Sequence, residues 1–523
     1  MWTKLTFMGR LGITILIMGA IVCAYLFLIK PNIKSDKKDL NATTPTEKKS
    51  SGGITDIFSS GTKLTITYNT FIGVAGLIHM NEGIVPNKDS RMYKDYGVLL
   101  TINIQDVVKD SRSTLISGDI DAVYCTTDAL SIDMSSGSGI VMIKAKQVMQ
   151  VNQSHGADVL MVDPSIRNIG DLRGRDIACA IGTASETALI EFLALNKMTI
   201  KDVNVIEVGD GIEASNMFKS GRVPAAMVWY PDNKDCKDAI EGAYELISTK
   251  QAPSIIADGL LISEEVINDK REAIVNLVTA WLIGNGEVNV DKSAQQHAAK
   301  IFARDFLGNE SGTYDVALDM LSGVRFSTYG DNMNFFGLNP TFTGVTGDEM
   351  YTDMSITYAE LGLTKSPLPW RSISDISILQ AINLSNDPKQ IAEVAPSFEP
   401  ATKELITKPA ISNIKASIKF ATNSAELDRN SEYIIKKEFS GIAKSFRDAR
   451  IRIKGNTDNV GNAVYNKNLS EKRAHAVADY LVKKFNFDPD KFIIIGNGSK
   501  EAIENGSVGS DENYRRTDFE VLN

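Results

Sequence analysis

The rhythm of apolar and polar positions divides the chain into stretches of different character. Residues 11–29, LGITILIMGAIVCAYLFLI, are uncharged and nearly all apolar between Arg10 and Lys30. At the helical rise per residue, such a run just crosses a hydrocarbon layer of about 30 Å, so one N-terminal transmembrane helix is expected over residues 1–30. A cleaved signal peptide would have a shorter apolar stretch and a small-residue cleavage site. Cys23 invites a lipid-modified terminus, but Val22 precedes it and the apolar run continues beyond. Both processed forms stay open as alternatives. The flanking charges (Lys4 and Arg10 before, Lys30, Lys34, Lys37 and Lys38 after) do not favour the N-in orientation, which is adopted because of the downstream domains.

Residues 31–60 are polar and end in a Gly/Ser-rich stretch, too poor in apolar positions to offset the entropy of ordering. They read as a flexible linker with a span on the order of 30 Å. From Lys63 the rhythm changes. Strand-length apolar runs (LTITYN, IDAVYC, DIACAI, NVIEV, AAMVWY) alternate with helical stretches such as ETALIEFLALNK and EAIVNLVTAWLIGNG. This alternation predicts an α/β fold with a largely parallel sheet over 61–385. A polar, proline-bearing stretch, 386–411, reads as a second linker before a last domain at 412–523. That domain predicts β-α-β-α-β order, with strands in RIRIKGNTDNVG, KFIIIGNGS and RRTDFEVL. Ser470 is expected to start the helix whose apolar stripe is Ala474, Val477, Ala478 and Leu481.

Composition narrows the function classes. With 523 residues, 43% hydrophobic and 23% charged, the chain is that of folded domains, and two or three are expected. A net charge of -9 argues against a nucleic-acid-coating protein. Cys23, Cys125, Cys179 and Cys236 form no CxxC pair and give no metal site, so neither a metal nor another cofactor is expected. The apolar N-terminal run holds no ionisable residue, which weighs against a proton-driven motor role. Gly19 and Cys23, or Ala20 and Ala24, are spaced to seat a membrane-protein partner, and equally suit ordinary lipid-facing positions.

The loops that follow the middle-domain strands carry the candidate chemistry. Thr70 follows LTITYN, Thr127 and Asp128 follow IDAVYC, and Gly182–Ser185 join DIACAI to a helix. Ligands bind at the carboxyl ends of strands in open α/β sheets, and a helix start offers free N–H groups to an anion. Either Thr183 or Ser185 is equally a helix cap. His155 and Asp158 in SHGAD have no recognisable nucleophile beside them, so no enzyme is expected and Asp158 reads as structural.

The spaced series LISGDIDAVYCTTDAL, IRNIGDLRGRDIACAIGTASETALIEF and MFKSGRVPAAMVWYPD resembles the periplasmic substrate-binding proteins of the nitrate, sulfonate and taurine class. The resemblance covers roughly residues 61–290 and implies a bilobed type II fold closing on a ligand. It implies a cleft lined by Thr70, Thr127, Ser154, Thr183, Ser185 and Trp229, suited to a small polar or anionic solute. No Arg falls at those loop positions. Residues 291–385 look like the closing helices of fusions that join such a domain to an OmpA domain.

GNTDNVGNAVYNKNLSEKRAHAVADYL, with FATNSAEL before it and YRRTDFEV after, resembles the OmpA/MotB signature over the whole last domain. The resemblance implies a small α/β OmpA-like sandwich that binds peptidoglycan. The residues it marks are Asn423, Thr457, Asp458, Asn466, Arg473 and Arg516. Diaminopimelate-type stem peptides carry an ammonium and a carboxylate on one carbon. An Asp and an Arg fork held apart suit that zwitterion. Asn456 departs from the usual His or Tyr, and Tyr514 from Asn. The expectation is a non-enzymatic binding protein, anchored in the inner membrane, with its bulk in the periplasm. The alternative is a structural or stator-like linker whose middle domain no longer binds a solute.

Overall fold

A computed structural model describes residues 61–522, apart from Ser417, Lys419 and Thr422. The expected anchor and first linker, residues 1–60, lie outside the described residues. Among the described residues no helix is long and apolar enough to cross a membrane.

Eleven strands build two sheets: β1 Thr62–Tyr68, β2 Val98–Ile104, β3 Ala122–Thr126, β4 Lys146–Ser154, β5 Asp158–Val162, β6 Asp176–Ala180, β7 Asn204–Val208, β8 Ala225–Trp229, β9 Tyr244–Ser248, β10 Ala257–Ile262 and β11 Val324–Phe326. The first sheet runs β2-β1-β3-β10-β4-β11, the second β7-β6-β8-β5-β9. Each opens with three parallel strands (β2, β1, β3; β7, β6, β8), followed by one antiparallel strand and a partner antiparallel to that. The repeated pattern makes two lobes. β5 and β8 are buried on both faces, and their near-continuous apolar sequences, DVLMV and AAMVW, reflect it.

The chain crosses between the lobes twice, from β4 to β5 and from β9 to β10. The crossings are tied together. Thr249 Oγ1 lies 2.8 Å from Ser154 Oγ and accepts the Gly156 N–H at 2.9 Å. The first lobe's core gathers Tyr68, Trp281 and Phe302 around the helix Arg271–Val290. Cys125, Cys179 and Cys236 are buried and unpaired, as small apolar side chains.

Residues 386–411, read as a linker, lie packed against both neighbours. Gln390 is buried; its Nε2 donates to the Leu282 carbonyl at 2.8 Å and its Oε1 accepts from Tyr329 N–H at 2.9 Å. The Phe398 N–H donates to Asp488 Oδ2 at 2.9 Å. Polar residues here satisfy buried backbone groups instead of water.

The last domain adds β12 Ile414–Ala416, β13 Arg450–Asn456, β14 Phe492–Gly498 and β15 Thr517–Leu522, in the order β12-β15-β13-β14. Its long helix, Ala463–Phe485, starts about two turns before Ser470, the position the sequence suggested. Asn462 caps it by accepting from the Val464 and Tyr465 N–H groups. Ser470 is buried in mid-helix instead, donating to the Lys467 carbonyl and accepting from the Gly498 N–H at 2.9 Å. A hydroxyl that ties a helix to a strand looks, in sequence, like a cap. One apolar core runs from the second lobe into this domain, with the Phe192 and Phe446 ring centres 6.4 Å apart. The Ile169 N–H donates to the Ile411 carbonyl, and Lys197 pairs with Glu438, both at 2.9 Å.

The helix Ala463–Phe485 lies so close to β13 that a Cβ on Gly455 would sit 2.0 Å from the Ser470 carbonyl oxygen. Gly455→Ala is therefore expected to push helix and sheet apart and destabilise the last domain by about 1–3 kcal/mol. Urea unfolding measures the loss; an unchanged midpoint would contradict the close approach.

Candidate functional site

Asp458 lies in the loop after β13 and Arg473 on the long helix, close enough for their charges to interact. Asp458 is only 8% exposed, and its Oδ2 accepts from Arg515 Nη1 at 2.8 Å. Arg473 donates through Nε to the Ser424 carbonyl at 3.0 Å and through Nη2 to the Ala421 carbonyl at 3.3 Å, with its guanidinium 5.0 Å from the Phe420 ring centre. Burial lowers its pKa from the usual arginine range; the Arg515 charge adds to that, and Asp458 opposes it. The Asp and the Arg thus feel each other without being paired.

The remaining marked residues divide into two groups. Thr457 is buried with no partner for Oγ1, while its N–H donates to the Gly498 carbonyl. Asn466 Nδ2 donates to the Val460 carbonyl at 2.9 Å and so shapes the loop that carries Asp458. Asn423 is exposed in the left-handed region, at φ 59°. Arg516 instead turns inward, donating to Asp518 Oδ1 at 2.9 Å and to Glu501. Arg515, not Arg516, reaches Asp458. Adjacent arginines just before a strand take opposite directions, so the doublet alone left the choice open.

In the middle domain the marked side chains are largely satisfied by the protein. Thr70 holds Asp106 through both its N–H and its hydroxyl. Thr127 is fully buried against Gln147, at 2.9 Å from its Nε2. Ser154 belongs to the crossing, donating to Asp158 Oδ2 at 2.8 Å. Thr183 caps the helix Ala184–Ala194, and Ser185 accepts from Trp229 Nε1 at 3.0 Å. His155, named in the sequence only as half of the SHGAD pair without a nucleophile, lies 3.4 Å from Asp448 of the last domain.

Between the lobes lies a cluster that the sequence only half disclosed. Asp128, at the end of β3 in the first lobe, accepts through Oδ2 from Thr187 Oγ1 of the second lobe at 2.7 Å. Thr187 is also 2.8 Å from the Tyr358 hydroxyl, on the helix Gly347–Glu360. Asp128 is fully buried and its Oδ1 has no partner. Burial pushes its pKa up to about 7, and that of Asp158 to about 6. Asp258 is raised by burial and by the charges of Asp128 and Asp158. The rings of Tyr68 and Tyr124, centres 4.9 Å apart, stand beside Asp258.

Residues 84–288 match the NMT1/THI5-like family and residues 419–516 match the OmpA family, so the chain joins an NMT1/THI5-like domain to a C-terminal OmpA domain. Among curated proteins, Outer membrane porin F of Pseudomonas aeruginosa is 28% identical over 123 residues, 23% of this chain and 33% of that protein. A protein of Brucella abortus described as a binding protein is 24% identical over 187 residues, 34% of this chain and 56% of its own length. The chain thus spans a third to just over half of these relatives. Among solved structures, the periplasmic aliphatic sulphonate binding protein SsuA of Escherichia coli aligns at 15% identity with a TM-score of 0.47, covering 60% of this chain and 98% of that one.

A carboxyl whose folded pKa lies above its unfolded value near 4 keeps a proton that the unfolded chain has released. Its stabilisation is full below the unfolded pKa and is lost as pH rises through the folded one, here about 7 for Asp128. Asn cannot ionise. The melting temperature of Asp128→Asn, minus that of the wild type, is therefore expected to grow from pH 5.5 to pH 8. A constant difference would contradict a protonated Asp128.

Proposed function

We propose that this chain is a periplasmic solute-binding protein held to the cell wall by its OmpA domain and to the inner membrane by residues 1–30. The observation that carries the clamp is the buried Asp128–Thr187 hydrogen bond. It joins the two lobes where the carboxyl end of β3 meets a helix of the other lobe, the place in open α/β sheets where ligands bind. Parting the lobes at the two crossings would free both groups, and the spare Oδ1, for a small polar solute. The chain then delivers or reports that solute; it does not transform it.

In the OmpA domain, Asp458 takes the ammonium and Arg473 the carboxylate of a diaminopimelate-type stem peptide. Thr457 Oγ1, buried without a partner, is a further donor for the peptide. Arg515 holds Asp458 until the ammonium arrives. Asp458→Ala and Arg473→Ala are each expected to abolish sedimentation with purified peptidoglycan while leaving the melting profile close to wild type. Wild-type sedimentation of both would refute the clamp residues.

One observation favours the second reading, a structural envelope linker. The Tyr358 hydroxyl already occupies Thr187, so the helix Gly347–Glu360 acts as a built-in stopper. Under that reading Tyr358→Phe changes no ligand affinity, because no solute enters.

A further inference from the structure

We propose that the solute taken between the lobes carries a positive charge, an organic ammonium rather than an anion; this rests on the clamp reading above. Asp128, Asp158 and Asp258 lie just after β3, at the start of β5 and in β10, near enough for their charges to interact, and all three are at most 5% exposed. Among the described residues no Lys or Arg forms a hydrogen bond or ion pair with any of them. Arg112, whose guanidinium reaches the Tyr124 carbonyl at 2.6 Å, spends its charge on Asp133 at the same distance. An anion entering here would meet carboxyls and find no counter-charge, and a buried charge without a partner is strongly disfavoured.

A second observation points the same way independently of the acids. Tyr68 and Tyr124 form a tilted aromatic pair beside Asp258, with Trp281 behind Tyr68 at 6.2 Å between ring centres. Aromatic faces attract alkylammonium groups and give nothing comparable to a sulfonate or nitrate oxygen. Asp128 Oδ1, buried and unpartnered, is the acceptor left for the ammonium hydrogens. Burial raises the proton affinity of Asp128 and Asp258, and a bound cation would lower it again by favouring the ionised carboxylates.

The test is calorimetry on the full chain with 1,4-diaminobutane and choline as cations, and methanesulfonate and nitrate as anions. At least one cation is expected to bind, with both anions weaker by a hundredfold or more. Asp128→Asn and Asp258→Asn, checked for folding by thermal melting, are each expected to weaken the cation at least tenfold. Tight binding of an anion without a cation overturns the charge assignment and leaves the clamp standing. Binding of none of the four overturns the charge assignment and the clamp together. Undiminished cation binding by both folded variants also overturns the assignment. The wild-type selectivity decides the matter even if a variant does not fold.

Discussion

The apolar core shared by the second lobe and the OmpA domain governs how this protein works. Phe192, Leu193 and Ile169 on one side meet Phe446, Ile411 and Ile435 on the other in one continuous cluster. Burying side chains of that size contributes about 1.5–3 kcal/mol each, far more than the exposed ion pairs around the seam. The OmpA domain is therefore not a weight on a string. It is built onto the second lobe, and Lys444 with Glu349 and His155 with Asp448 carry the contact on to the helix Gly347–Glu360 and the crossing.

Much of this could be read in the sequence, for identifiable reasons. Strands such as DIACA and AAMVW announce themselves because burial on both faces leaves an unbroken apolar run. The Asp458 and Arg473 positions stand out because a fixed spacing between a loop and a helix face is a pattern in one dimension. What escaped is three-dimensional. Residues 386–411 look solvated because their polar side chains bond to buried backbone. Ser470 looks like a cap because the sequence does not say that the Gly498 N–H will come to meet it. The apolar faces of the last domain show that something covers them, but not that Phe192 does.

The cleft offers the same lesson in chemistry. Thr127, Ser154, Thr183 and Ser185 have the right residue types, yet their hydrogen bonds are spent on holding the walls. Capacity is left at Asp128 Oδ1, beside the buried carboxyls of Asp158 and Asp258, which only folding brings together. Among the described residues, the two lobes and the OmpA domain are parts of one packed body.

The shared core is tested most directly by amide hydrogen exchange on the full chain, comparing wild type with Phe446→Ala. A single cooperative unit predicts that this change, made in the OmpA domain, speeds exchange in β6 and in the helix Ala184–Ala194 as well as in β13. Faster exchange confined to the OmpA domain, with the second lobe unchanged, would contradict it.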